Sequence, residues 1–86
     1  MTYWIYIARC GDGSLYTGIS TDVDRREREH NVGRGAKYTR SRLPVRMVYR
    51  EESESRSAAL KREWAIKQLT REEKLALVYG DRPTHL

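Results

Sequence analysis

The stretch Tyr3-Trp4-Ile5-Tyr6-Ile7-Ala8-Arg9-Cys10-Gly11-Asp12-Gly13-Ser14-Leu15-Tyr16-Thr17-Gly18-Ile19 decides the fold. Tyr3 to Arg9 is rich in aromatic and β-branched residues, Ser14 to Ile19 repeats that character, and each reads as a strand. Gly11-Asp12-Gly13 supplies a three-residue turn of the kind that ends in a left-handed glycine. With that loop, Cys10 opposes Ser14 and Ala8 opposes Tyr16. Trp4, Tyr6, Ala8, Tyr16 and Gly18 then share one face of the hairpin, and Ile5, Ile7, Leu15 and Ile19 the other. The second set is an aliphatic core face; the first is aromatic with polar tips. A four-residue loop would place Tyr6 and Tyr16 on opposite faces, so any joint role for the two phenols rests on the register.

Beyond the hairpin, Thr21 or Asp22 caps a helix with acids in its first turn, where the helix dipole favours them. It runs through Arg26 and His30, four apart and on one face, and stops near Gly33. Val23 is its one plainly apolar residue, so some of its polar residues must face inward. Gly33 to Leu43 is a glycine- and arginine-rich connection with a short turn over Ala36–Arg40. Val45–Arg50 reads as a third strand and Glu51–Ser55 as a polar loop. A helix follows from Ser57 to Leu69, with Trp64 expected in the core. Thr70 caps a last helix, with Glu73 at the capping-box position and Gly80 at its end. The order β-β-α-β-α-α predicts an α+β fold, a small three-stranded antiparallel sheet flanked by helices. Residues 1–80 form a single domain and 81–86 a frayed tail.

With 86 residues the chain has room for one modest core. No apolar run approaches the roughly 18–20 residues that cross a bilayer, and Met1-Thr2-Tyr3-Trp4 lacks the features of a signal peptide. A single cysteine, Cys10, permits no internal disulfide. A cytoplasmic protein with no membrane association is expected. The net charge of +5 is concentrated in the first half: residues 34–50 hold six basic side chains and no acid. Such a patch gathers polyanions, although it equally suits a solvated face with no partner.

A phenol pair beside a guanidinium suits work on a phosphodiester. A guanidinium grips two phosphate oxygens at once. A carboxylate is the hard oxygen ligand that Mg²⁺ takes, completed by water and phosphate. Glu63 falls between Ala59, Leu60 and Ile66 on the helical wheel, where an unpaired acid would be costly. A salt bridge to Arg26 or Lys67 is its plain structural alternative. His30 near a helix end equally suits the dipole. Strand tyrosines are more often packing residues than catalysts.

Trp4-Ile5-Tyr6 and Tyr16-Thr17-Gly18, with the ten-residue step to Arg26, resemble the two short motifs that name the GIY-YIG nuclease superfamily. The resemblance continues through Arg26-x-x-x-His30 and Ala59-Leu60-Lys61-Arg62-Glu63-Trp64, covering Tyr3 to about Leu69. Among subgroups, the chain looks like the small stand-alone bacterial members. It is also similar to the nuclease domain of structure-specific endonuclease subunits that act on branched DNA. The resemblance implies a metal-dependent endonuclease that hydrolyses phosphodiester bonds in DNA, including branched or single-stranded forms, with Mg²⁺ or Mn²⁺ as cofactor. It assigns Tyr6 and Tyr16 as active-site phenols, Arg26 to the scissile phosphate, His30 to assistance nearby, and Glu63 to the metal. One phenol would deprotonate the attacking water, its pKa lowered from ~10 by Arg26 and the metal. Tyr6 is favoured for that role, with the choice between the two left open.

The small-member subgroup carries a segment similar to Gly35–Arg42. A substrate surface is therefore expected of Arg34, Lys37, Tyr38, Thr39, Arg40 and Arg42: cations on backbone phosphates, Thr39 donating a hydrogen bond, Tyr38 stacking on an unpaired base. The pattern also departs from the family. Ile19 stands where some members have a lysine, and no asparagine follows Glu63. Slow cleavage, or a protein partner that supplies substrate specificity, is the implication. DNA is the expected substrate and RNA the alternative. The rival reading is a non-catalytic nucleic-acid-binding adaptor or accessory factor.

Overall fold

The computed structural model describes residues 1–80, and the expected tail at 81–86 lies outside the described residues. Strands β1 (Tyr3–Arg9) and β2 (Leu15–Ser20) form the hairpin, and α1 (Val23–Asn31) follows. Next come the short α2 (Lys37–Arg40), β3 (Arg46–Ser53), α3 (Arg56–Lys67) and α4 (Arg71–Tyr79). The sheet is antiparallel with β1 in the middle, in the order β2-β1-β3. The α+β architecture is the expected one, with α2 filling the place of the turn expected over Ala36–Arg40.

The hairpin has the three-residue loop. The Cys10 amide donates to the Ser14 carbonyl at 2.8 Å, and Gly13 sits at φ +85°, a left-handed angle that glycine adopts without strain. Ala8 therefore pairs with Tyr16 and Tyr6 with Gly18. Both phenols lie on one face.

Each face of the sheet buries its own cluster. Ile5 and Ile7 pack with Ala59 and Ile66 of α3, and with Leu77 and Val78 of α4. On the opposite face Tyr6, Ala8 and Cys10 pack with Val23 of α1 and with Val45. Both faces of β1 are thus dry, which explains its nearly continuous apolar run. Two side chains of α1 fasten it to β3. The Asn31 amide accepts from the Val45 N–H at 2.7 Å and donates to the Val45 carbonyl at 2.9 Å, while Glu27 accepts from the Met47 N–H at 2.7 Å. Two of the helix's polar residues are therefore spent on strand backbone, while His30 is the polar residue it fully buries.

Two expectations are corrected. β3 runs on to Ser53, through residues that read as a polar loop, because Glu51 and Ser53 pair with Ile5 and Tyr3 of the central strand. Glu51 remains satisfied there by Arg62 of α3, at 2.7 Å to Nε. Trp64 is not core: it is 67% exposed, on the outer side of α3. Among the described residues no helix is long and apolar enough to cross a membrane.

Thr17 is buried on the α3 side, and its hydroxyl has no hydrogen-bond partner among the described residues. An unpaired buried hydroxyl carries its full desolvation cost. Thr17→Val, similar in shape, is expected to raise stability by about 1 kcal/mol, visible as a higher midpoint in urea at an unchanged slope. A lower midpoint would mean that the hydroxyl has a partner after all.

Candidate active site

The Tyr6 ring lies across Gly18 on the neighbouring strand. A Cβ at Gly18 would stand 2.5 Å from the Tyr6 Oη and 2.6 Å from its Cζ. The glycine of the second motif is therefore the floor on which the first tyrosine rests. Tyr6 is 1% exposed, and its hydroxyl meets His30 Nε2 at 2.9 Å. His30, fully buried in the last turn of α1, turns Nδ1 to Thr39 Oγ1 at 2.8 Å. Gly35 closes over the imidazole so tightly that any Cβ there would overlap the ring.

Tyr16 forms the outer layer. Its ring centroid is 6.3 Å from that of Tyr6, 5.7 Å from His30 and 5.9 Å from Tyr38, with which it stacks. The Arg42 guanidinium covers the Tyr38 ring at 3.8 Å from its centroid. Arg26 is 29% exposed on its side chain; it pairs with Glu29 at 3.1 Å and stands beside the Tyr6 phenol.

Burial pushes the Tyr6 pKa up to about 12, against the lowering action of Arg26 and with the Tyr16 and Glu63 charges adding to the rise. Of the two charges expected to lower this phenol, the guanidinium acts in that direction but is outweighed by desolvation. The same burial, with Arg26 second, holds the His30 pKa below its ordinary value, so the imidazole is neutral at pH 7.

Glu63 approaches from α3, on the other side of the sheet, and its charge is felt at the Tyr6 phenol. Its side chain is 17% exposed and pairs with Lys67 at 3.3 Å, one of the two salt bridges foreseen as alternatives. Among the described residues no group of three or more His, Cys, Asp or Glu could cage a metal ion. A lone, mostly buried carboxylate fits Mg²⁺, which keeps several waters and takes one or two carboxylates plus substrate phosphate. It does not fit a metal held by protein ligands alone.

The expected substrate surface divides in two. Arg34, Lys37 and Arg40 are exposed, and none belongs to an ion pair among the described residues. Thr39 is not on that surface: it is fully buried, its hydroxyl donated to the Ala36 carbonyl at 2.8 Å. Arg42 is already engaged, with Asp12 at 3.1 Å and the Tyr38 carbonyl at 2.8 Å. Tyr38 is 39% exposed but carries Tyr16 and Arg42 against its ring, so stacking on a base would mean displacing one of them. Gly35 was missed as a site residue. Its proximity to His30 depends on how the connection folds back, which no local pattern reveals.

The class defined by this fold and site is a small α+β domain built around paired strand tyrosines. The profile described as the GIY-YIG catalytic domain matches residues 2–76, and the chain belongs to that family. It is 59% identical over 75 residues to a UPF0213 protein of Haloquadratum walsbyi, covering 87% of this chain and 84% of that protein. It is 53% identical over 77 residues to a UPF0213 protein of Staphylococcus aureus, covering 90% and 94%. The solution NMR structure of the UPF0213 protein from Bacillus halodurans superposes with a TM-score of 0.60 at 44% identity, covering 99% of this chain and 90% of that one. A solution NMR structure of a protein from E. faecalis gives 0.60 at 42% identity, covering 100% and 95%.

Proposed function

We propose that this protein is a metal-dependent endonuclease that hydrolyses phosphodiester bonds in DNA. The supporting observation is the meeting of Tyr6, Tyr16, Arg26 and His30 from β1, β2 and α1, with the Glu63 charge reaching the same phenol from α3. Arg26 grips the scissile phosphate, and Arg34, Lys37 and Arg40 hold the flanking backbone. Glu63 would hold Mg²⁺ or Mn²⁺, which supplies neutralisation of charge on the phosphate as it reacts. Tyr6 is too buried, and its proton too tightly held, to serve as the free base. Tyr16, only half-buried, takes the contact with the attacking water, and the Tyr6–His30 pair supports it from below. Branched, flapped or single-stranded DNA is the proposed substrate, the cytoplasm the compartment, and a protein partner the source of further specificity.

The Lys67–Glu63 ion pair favours a second reading, a non-catalytic adaptor whose glutamate is already satisfied. The test is to incubate pure protein with flapped, branched and duplex DNA and with single-stranded RNA, in Mg²⁺ or Mn²⁺ and again in chelator. Cleavage of DNA that disappears with chelator is expected. Salt-dependent binding with no cleavage in any metal would leave the adaptor.

A further inference from the structure

We propose that Thr39 is a positioning residue, anchoring the far end of a one-way hydrogen-bond chain that sets the His30 tautomer and, through it, Tyr6 and Arg26. The direction of the chain follows from its ends. A backbone carbonyl only accepts, so the Thr39 hydroxyl must spend its proton on the Ala36 carbonyl, 2.8 Å away. Thr39 Oγ1 can then only accept from His30 Nδ1, at 2.8 Å, so Nδ1 carries the proton. In a neutral imidazole this leaves Nε2 bare, and Nε2 accepts the Tyr6 O–H at 2.9 Å. At the other end stands Arg26, whose guanidinium only donates and which lies beside the Tyr6 oxygen. The cation beside the phenol oxygen favours the same sense as the threonine end: phenol to imidazole, imidazole to threonine, threonine to carbonyl. Such chains polarise one another and strengthen each link.

A valine at 39 cannot accept from Nδ1–H. The imidazole would then be free to carry its proton on Nε2, which would donate to the Tyr6 oxygen and turn the phenol proton toward the Arg26 cation. Acid does the same, because imidazolium donates from both nitrogens. The groups facing His30 are Tyr6 from β1, Tyr16 from β2, Arg26 and Glu29 on its own helix, and Thr39 from α2. Thr39 also belongs to the four-residue helix whose outer side presents Lys37 and Arg40. The segment proposed to hold the DNA backbone is thus the segment that orders the buried pair.

The inference rests on the nuclease reading for its kinetic arm only. Ring nitrogen NMR of His30, in a His85→Gln background, reads the tautomer without any substrate. Wild type is expected to show the Nδ1–H form, Thr39→Val a shift toward Nε2–H, and Thr39→Ser the wild-type form. In cleavage, Thr39→Val should lose about tenfold or more in kcat with little change in KM, and Thr39→Ser should recover it. The acid limb of wild-type activity should lie below pH ~6.5. A Thr39→Val protein that keeps the Nδ1–H tautomer overturns the proposal. Should valine prevent folding, a serine variant lacking that tautomer overturns it equally. If wild type cuts no DNA, the nuclease reading fails while the NMR result still decides the role of Thr39.

Discussion

Glu63→Gln is expected to abolish metal-dependent cleavage, by about a thousandfold or more, and to leave the protein folded. Neutralising charge on a reacting phosphate contributes several kcal/mol, and each 1.4 kcal/mol is about tenfold in rate. Glutamine keeps the shape of the side chain and a carbonyl oxygen but removes the charge that would hold the ion. The structural cost is small. The Lys67 partner is 47% exposed, and ion pairs open to water contribute at most about 1 kcal/mol. Lys67→Gln is the control that separates the two roles of Glu63. If the carboxylate exists only to pair with Lys67, the two variants will match in every measurement. If it holds the metal, Lys67→Gln will keep cleaving while Glu63→Gln does not. Equal residual cleavage in both, measured with the same flapped DNA and Mg²⁺ concentration, would remove the catalytic role from Glu63.

Local chemistry made the hairpin legible. Two glycines around Asp12 fixed the loop length, the loop length fixed the register, and the register put Tyr6 and Tyr16 on one face. The capping pattern at Thr70 and Glu73 was equally local and equally readable. What stayed hidden was decided by tertiary neighbours. Glu51 to Ser53 look like loop residues, yet a seven-residue central strand needs a partner along its full length. Trp64 looks like core, but the inward positions of α3 are taken by Ala59 and Ile66, which let the helix lie close to the sheet. Thr39 sits among arginines and lysines and reads as surface. Only the return of the connection onto α1 shows that it is fully buried against His30. The balance at Tyr6 was hidden for the same reason: sequence displays the neighbouring cation but not the burial that outweighs it.

The sign of the His30 shift has its own consequence for stability. An imidazole whose folded pKa is depressed contributes stability that is present above the unfolded value of ~6.5 and lost as pH falls through the folded value. The buried pair should therefore loosen in mild acid.

Gly18→Ala is expected to cost both stability and activity. The new Cβ would meet Tyr6 Oη at 2.5 Å and Cζ at 2.6 Å, separations that atoms in a folded core do not sustain. Gly18 is at an ordinary backbone angle, so strain in the chain is not the issue; the obstacle is the phenol itself. Tyr6 is 1% exposed and held by His30, so it has nowhere open to move. Overpacking of this kind costs about 1–3 kcal/mol, and displacing a site group by about 1 Å can cost about a hundredfold in rate. Tyr6→Phe removes the Oη, the nearer of the two atoms, but leaves the ring carbon. Combined with Gly18→Ala it should recover part of the stability and none of the activity. A double-mutant cycle reads that coupling directly. Additive losses would show that the alanine acts elsewhere, whereas a coupling of about 1 kcal/mol would show that the glycine of one motif exists to seat the tyrosine of the other. The two motifs would then be a single device, split between paired strands.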